Sequence, residues 1–162
     1  MVKTRGSIPD RVKKGNIPVF ERLYVFDKIQ LHAILATVSD KQPYPSMIAY
    51  ALVPDEKGIV FATPNKTQKY KNILKNNRVS ILIDTRSNTK KDYMSAESLN
   101  ILGYAKPVRK GKEWRELTNI LLKKHPKLKE FVYSSETKVI FVKINQCIHV
   151  KRFQTVSKYI SS

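Results

Sequence analysis

Cysteine is almost missing from this chain. Cys147 is the only one, which excludes an internal disulfide framework and any cysteine-rich zinc site. Glycine is scarce, with 5 residues beside 8 prolines, so the chain is neither collagen-like nor of low complexity. Long apolar runs are missing too, and no stretch reaches the ~18 residues that a membrane-crossing helix needs. The opening stretch MVKTRGSIPDRVKKGNIP is basic but has no apolar centre, unlike a secretory signal. These absences lead us to expect a soluble, cytoplasmic protein in a reducing compartment. Acid is the last shortage. Thirteen Asp and Glu face 31 Lys and Arg, a net charge of +18.

What is present is the composition of a globular domain. Of the 162 residues, 41% are hydrophobic and 27% charged, enough for one core at this length. We expect a single domain over residues 1–162, with residues 1–16 a loosely ordered arm. The charge favours anionic partners. Its densest stretch runs from Lys106 to Lys129, where nine basic residues stand against Glu113 and Glu116. A solvated helical face accounts for that density. The competing reading is a non-enzymatic nucleic-acid-binding module, but no helix-turn-helix, zinc-finger or RNA-recognition signature accompanies it.

Periodicity divides the chain into short strands with few helices between them. A helix is expected over Pro18–Gln30, with proline at its first turn. HAILATVS (32–39), YPSMIAYALV (44–53) and IVFAT (59–63) read as three strands. The turns between them are Asp40 to Pro43 and Pro54 to Gly58. A helix follows over 67–76, with Tyr70, Ile73 and Leu74 on one face, then a strand RVSILID (78–84). After a polar loop, a fifth strand lies within 96–109, where Gly103 marks a bulge or close approach. Residues 111–124 form a helix that turns Trp114, Leu117, Ile120 and Leu121 inward. KVIFVKINQCIHV (138–150) supplies one or two last strands. About six strands with few crossovers predict a small closed antiparallel barrel, mainly β.

The chemistry-bearing stretch is IVFATPNKTQKYKNILKNNRVSILID (59–84). A strand ends at Thr63, a short loop follows, and a helix opens at Thr67, Gln68 and Lys69. The unpaired amides and dipole of that first turn suit an anion. The Thr67 hydroxyl and Lys69 ammonium can add charged hydrogen bonds. Equally, Thr67 can simply cap the helix while Lys69 faces water.

The order of these elements resembles the pyridoxamine 5′-phosphate oxidase superfamily, the FMN-binding split barrels. Phe61-Ala62-Thr63 matches its strand end, Thr67-Gln68-Lys69 its phosphate triplet, and Asn76-Asn77-Arg78-Val79-Ser80 its next strand start. The likeness extends over roughly residues 17–155. It implies a six-stranded antiparallel split β-barrel, a homodimer and FMN at the subunit interface. Thr67, Gln68 and Lys69 would hold the phosphate. Ser46, Met47, Ile48 and Ala49 would line the ribityl chain and ring, and Ala62 and Thr63 would touch the flavin from the next strand. Arg86 and Asn88 are further candidates. The chain departs from the true oxidases at Ser46 and Ala51, where they carry Arg and Lys, at Gln68 in place of Arg, and in lacking their C-terminal Trp and Arg-x-His motif. The resemblance therefore implies an FMN-dependent oxidoreductase of unassigned substrate, outside the pyridoxine pathway. A deazaflavin or haem is the alternative cofactor, with His149 a conceivable haem ligand.

The other reactive side chains read as structural. His32 is expected to pack at a strand start, His125 to lie exposed before Pro126, and Cys147 to be a buried small apolar residue. Asp84, Asp92 and Glu97 form no recognisable acid–base pair. No metal-ligand spacing is present.

Overall fold

The structure is a computed structural model and describes residues 11–55, 57–152 and 154–162. Its elements are β1 (Lys13–Lys14), α1 (Val19–Ile29), β2 (His32–Ser39), β3 (Gln42–Val53), β4 (Gly58–Pro64), α2 (Gln68–Lys75), β5 (Arg78–Asp84), α3 (Asp92–Ser95), β6 (Glu97–Pro107), α4 (Lys112–Lys124), α5 (Lys129–Tyr133), β7 (Thr137–Lys151) and β8 (Thr155–Ile160). Strands β7-β4-β3-β2-β5-β6 lie in that order, and β6 pairs back onto β7. All six contacts are antiparallel, so the barrel is closed and mainly β, as the sequence implies.

Alternation along each strand fills it. Ala33 and Leu35 of β2, Ile48, Tyr50 and Leu52 of β3, Ile59 and Phe61 of β4, Val79, Ile81 and Ile83 of β5, and Leu99 and Ile101 of β6 point inward. α1 closes one end with Val19, Leu23 and Phe26. α2 closes the other. A second cluster lies outside, where Trp114, Leu117 and Leu121 of α4 and Val132 of α5 cover Ala51, Val53, Val60, Val139 and Phe141.

The sequence places most of these elements; the differences lie in one turn, the two terminal strands and one helix face. Asp40 and Lys41 take positive φ, 52° and 63°, which makes a tight two-residue hairpin turn without glycine; β3 therefore starts at Gln42. Residues 137–151 are one strand bent at a register shift beside Gly103. The expected bulge is thus present, and a Cβ at Gly103 would overlap the Lys143 carbonyl oxygen. The polar tail adds β8 on β7, and Lys13 and Lys14, expected in a loose arm, pair with β8 in parallel; residues 1–10 lie outside the described residues, as does Glu56 of the Pro54–Gly58 turn. Leu74, expected on the apolar face of α2, is exposed. No helix among the described residues is long and apolar enough to cross a membrane.

Candidate functional site

The barrel is split between β3 and β4. Their ladder ends at Tyr50 opposite Phe61, although β3 extends back to Gln42 and β4 on to Pro64. Beyond that point β3 stays with β2, from His32 opposite Ala49 to Ser39 opposite Gln42. β4 stays with β7, from Ala62 opposite Val139 to Pro64 opposite Thr137. The two strands become separate lips whose facing backbone groups no longer pair with each other, an arrangement that leaves donors and acceptors for something else. Ser46, Met47, Ile48 and Ala49 form one lip. Ala62 and Thr63 form the other, and Thr67, Gln68 and Lys69 follow at its end. The strand period sorts the lips. Met47, Ala49 and Ala62 share the outward parity of Ala51 and Val60, whereas Ser46, Ile48 and Thr63 share the inward parity of Tyr50 and Phe61.

α2 crosses the open end beneath this gap because side chains anchor it on both sides. The Thr67 hydroxyl accepts from the Tyr70 amide at 3.4 Å, the N-cap bond expected of threonine. It also donates to the Pro64 carbonyl at 3.0 Å and lies 2.9 Å from the Thr63 hydroxyl. Gln68 donates to Asn72 at 2.7 Å, and Asn72 donates to Thr37 of β2 at 3.0 Å. The Thr67 hydroxyl and Gln68 amide thus hold the helix in place. Lys69 is different. It is half-buried, burial lowers its pKa, and among the described residues no carboxylate lies within ion-pair distance of it.

Two unsatisfied polar atoms accompany that cation. The Ser46 hydroxyl and the Asn65 side-chain oxygen are enclosed without a hydrogen-bond partner. Ser46 lies on the β3 lip, and Asn65 follows the end of the β4 lip in the turn before α2. One orphan therefore belongs to each side of the gap. Leaving a buried polar group unpaired costs about 1–3 kcal/mol, so each lip keeps a polar atom that a ligand with donor and acceptor atoms would satisfy. Asn65 is absent from the sequence-based candidates, since its orphan status depends on how the fold buries it.

Arg86 and Asn88 lie elsewhere. They line a cavity of about 610 Å³ on the outer side of β5 and β6, with Leu82, Tyr93 and Val150. The Arg86 guanidinium pairs with Asp84 at 3.2 Å. Asp92 gathers this loop by accepting from the amides of Ser87, Asn88 and Thr89. Two of the histidines depart from expectation. His32 is exposed. His125 is buried, because its ring nitrogen meets the Tyr50 carbonyl oxygen at 2.8 Å. His149 is fully buried, its Nε2 3.0 Å from Glu97, and Glu97 is also gripped by Arg22. Cys147 is buried, and desolvation pushes its thiol up to about 12. No group of three His, Cys, Asp or Glu that could hold a metal occurs among the described residues.

Comparison with known proteins bears on this geometry. A family model described as pyridoxamine 5′-phosphate oxidase matches residues 29–151. No curated protein matches the chain. Among solved structures, a haem-binding protein from Mycobacterium smegmatis aligns with a TM-score of 0.78 and 16% identity, over 90% of this chain and 59% of that one. Campylobacter jejuni ChuZ aligns with a TM-score of 0.76 and 15% identity, over 91% of this chain and 61% of that one. A FAD-binding protein from Mesorhizobium loti gives 0.66 and 15%, over 82% and 94%. This chain thus spans about three-fifths of the first two relatives. At such identities the likeness is one of fold.

Proposed function

Because the chain belongs to the pyridoxamine 5′-phosphate oxidase family, we propose that it binds FMN in the gap between β3 and β4 and works as an oxidoreductase on a substrate other than a phosphorylated B vitamin. One observation carries the reading: Lys69, a half-buried ammonium without a carboxylate, stands at the first turn of α2 beside a gap with orphaned polar atoms. The residues fit the cofactor. The α2 amides and Lys69 would hold its phosphate. The Ser46 hydroxyl and Asn65 oxygen would meet polar atoms of the ribityl chain or ring. Met47, Ala49 and Ala62 would offer a flat outer wall of small or flexible side chains. FMN, when bound, supplies the electron chemistry; the protein orients it and keeps water from one face.

Ala51 supports the exclusion of B-vitamin phosphates. It occupies the position of the oxidases' phosphate-binding lysine, yet it is 2% exposed and packed in the α4 cluster. Two of the three histidines are held away from haem: His149 is enclosed and held by Glu97, and His125 by the Tyr50 carbonyl, which leaves the exposed His32. The visible spectrum of the purified protein separates flavin, deazaflavin and haem.

We expect Lys69→Ala to weaken FMN binding by roughly 10- to 150-fold, the equivalent of losing one charged hydrogen bond of about 1.5–3 kcal/mol. Fluorescence titration with FMN reads this directly, and unchanged affinity would rule out Lys69 as the phosphate grip.

A further inference from the structure

A second cavity, of about 590 Å³, opens between α2 and α4 where β6 ends and β7 begins. Its lining includes Tyr70, Trp114, Arg109, Lys110, Lys138 and Thr137. None of the nine residues proposed for FMN lines it. Three cations converge here and no carboxylate is part of the wall. The local acids are engaged elsewhere: Glu113 with Lys106, Glu116 with Lys112, and Glu136 with Lys66. Among the described residues, Arg109, Lys110 and Lys138 have no ion-pair partner.

The aromatic part is equally defined. Trp114 is 7% exposed and braced edge-on by Tyr133 at 5.4 Å. The Lys110 ammonium lies over its ring at 5.7 Å. Unpaired cations in a concave site raise the local concentration of anions. Arginine offers a fork matched to phosphate oxygens, and tyrosine and tryptophan edges favour a planar ring. The volume lies in the range of small-ligand sites, about 300–1,000 Å³, far more than inorganic phosphate fills.

We propose that this cavity binds a ring-bearing phosphomonoester of the mononucleotide class. Arg109, Lys138 and the Thr137 hydroxyl take the phosphate, and Tyr70 and Trp114 take the ring. The site is separate from the β3–β4 gap, although Lys138 stands opposite Thr63 in the β4–β7 register.

Trp114 is the only tryptophan in the chain, so its emission reports on the cavity wall. AMP is titrated into the purified full-length protein. We expect a saturable change in emission, a rise of about tenfold or more in apparent Kd for Arg109→Glu and for Lys138→Glu, and no change for Lys69→Ala or Lys129→Glu. Circular dichroism checks that each variant is folded. Any of four results overturns the proposal: no saturable response to AMP; equal weakening by Lys129→Glu, which would mean diffuse surface charge; weakening by Lys69→Ala, which would put AMP in the flavin gap; or a single-stranded oligonucleotide that binds without competition from AMP.

Discussion

At the scale of single residues, polar satisfaction separates function from architecture. Thr67 and Gln68 have motif identities, yet both side chains are spent on the helix they start. Lys69, Ser46 and Asn65 are left over. The triplet is legible in the sequence because it is local. The orphans are not, because being buried without a partner is a property of the folded packing. His125 departs from expectation for a similar reason: the proline after it suggests an exposed helix end, and only the fold brings the Tyr50 carbonyl to its ring. Gly103 is legible, since a glycine inside a strand pattern marks a bulge or a close backbone approach. We expect Gly103→Ala to destabilise the protein by about 1–3 kcal/mol through overpacking against Lys143 and Val142. Chemical denaturation measures this, and an unchanged midpoint would mean that the β6–β7 ladder yields freely there.

At the scale of elements, α1 is attached by charge as well as by packing. Its Arg22 reaches Glu97 at the start of β6, and Glu97 reaches His149 of β7. Its Asp27 takes Lys124 of α4 at 2.7 Å and the Leu52 amide at 2.9 Å. Burial pushes the His149 and His125 imidazoles below their ordinary value. Burial alone would raise the Glu97 carboxyl, but Arg22 and His149 outweigh it and hold it low. The unfolded chain therefore takes up histidine protons below about pH 6.5 that the folded chain refuses, so stability is complete above that pH and falls on acidification. The Glu97 contribution lasts further, to below about pH 4.3. The urea midpoint should drop between about pH 7.5 and about pH 5.5, and His149→Gln should flatten the drop. A profile of unchanged slope in both His149→Gln and His125→Gln would discount the buried imidazoles. Strands with strict alternation are legible end to end, as for β2 and β5. β8 is not, because TVSKYI follows a basic segment and buries only Ser157.

At the scale of the whole molecule, no helix among the described residues covers one outer face in the way that α4 and α5 cover β3, β4 and β7. Ile34 stands opposite both Met47 and Leu82, and Ser80 links Ala36 to Leu102. Met47 is 67% exposed, while Ile34, Ala36, Leu82 and Leu102 are half-buried. We propose this strip as the homodimer face, continuous with the flavin gap through Met47. Leu82→Asp should then halve the mass measured by light scattering and weaken FMN retention about tenfold or more, because a buried unpaired carboxylate disrupts the interface. A wild-type monomer, or a Leu82→Asp dimer that persists, would refute that assignment.

Closing six strands into a ring pairs the β-edges except along the β3–β4 gap, but the last strand adds another edge, because among the described residues β8 pairs through its length with β7 on one side only. β1 occupies part of that edge with Lys13 and Lys14, paired in parallel and both exposed. A second copy stacking there in register would bring two like charges within one strand spacing, about 4.8 Å, of their equivalents. Repulsion would recur at every added layer. Charge on the outermost described strand would thus oppose templated growth at this edge.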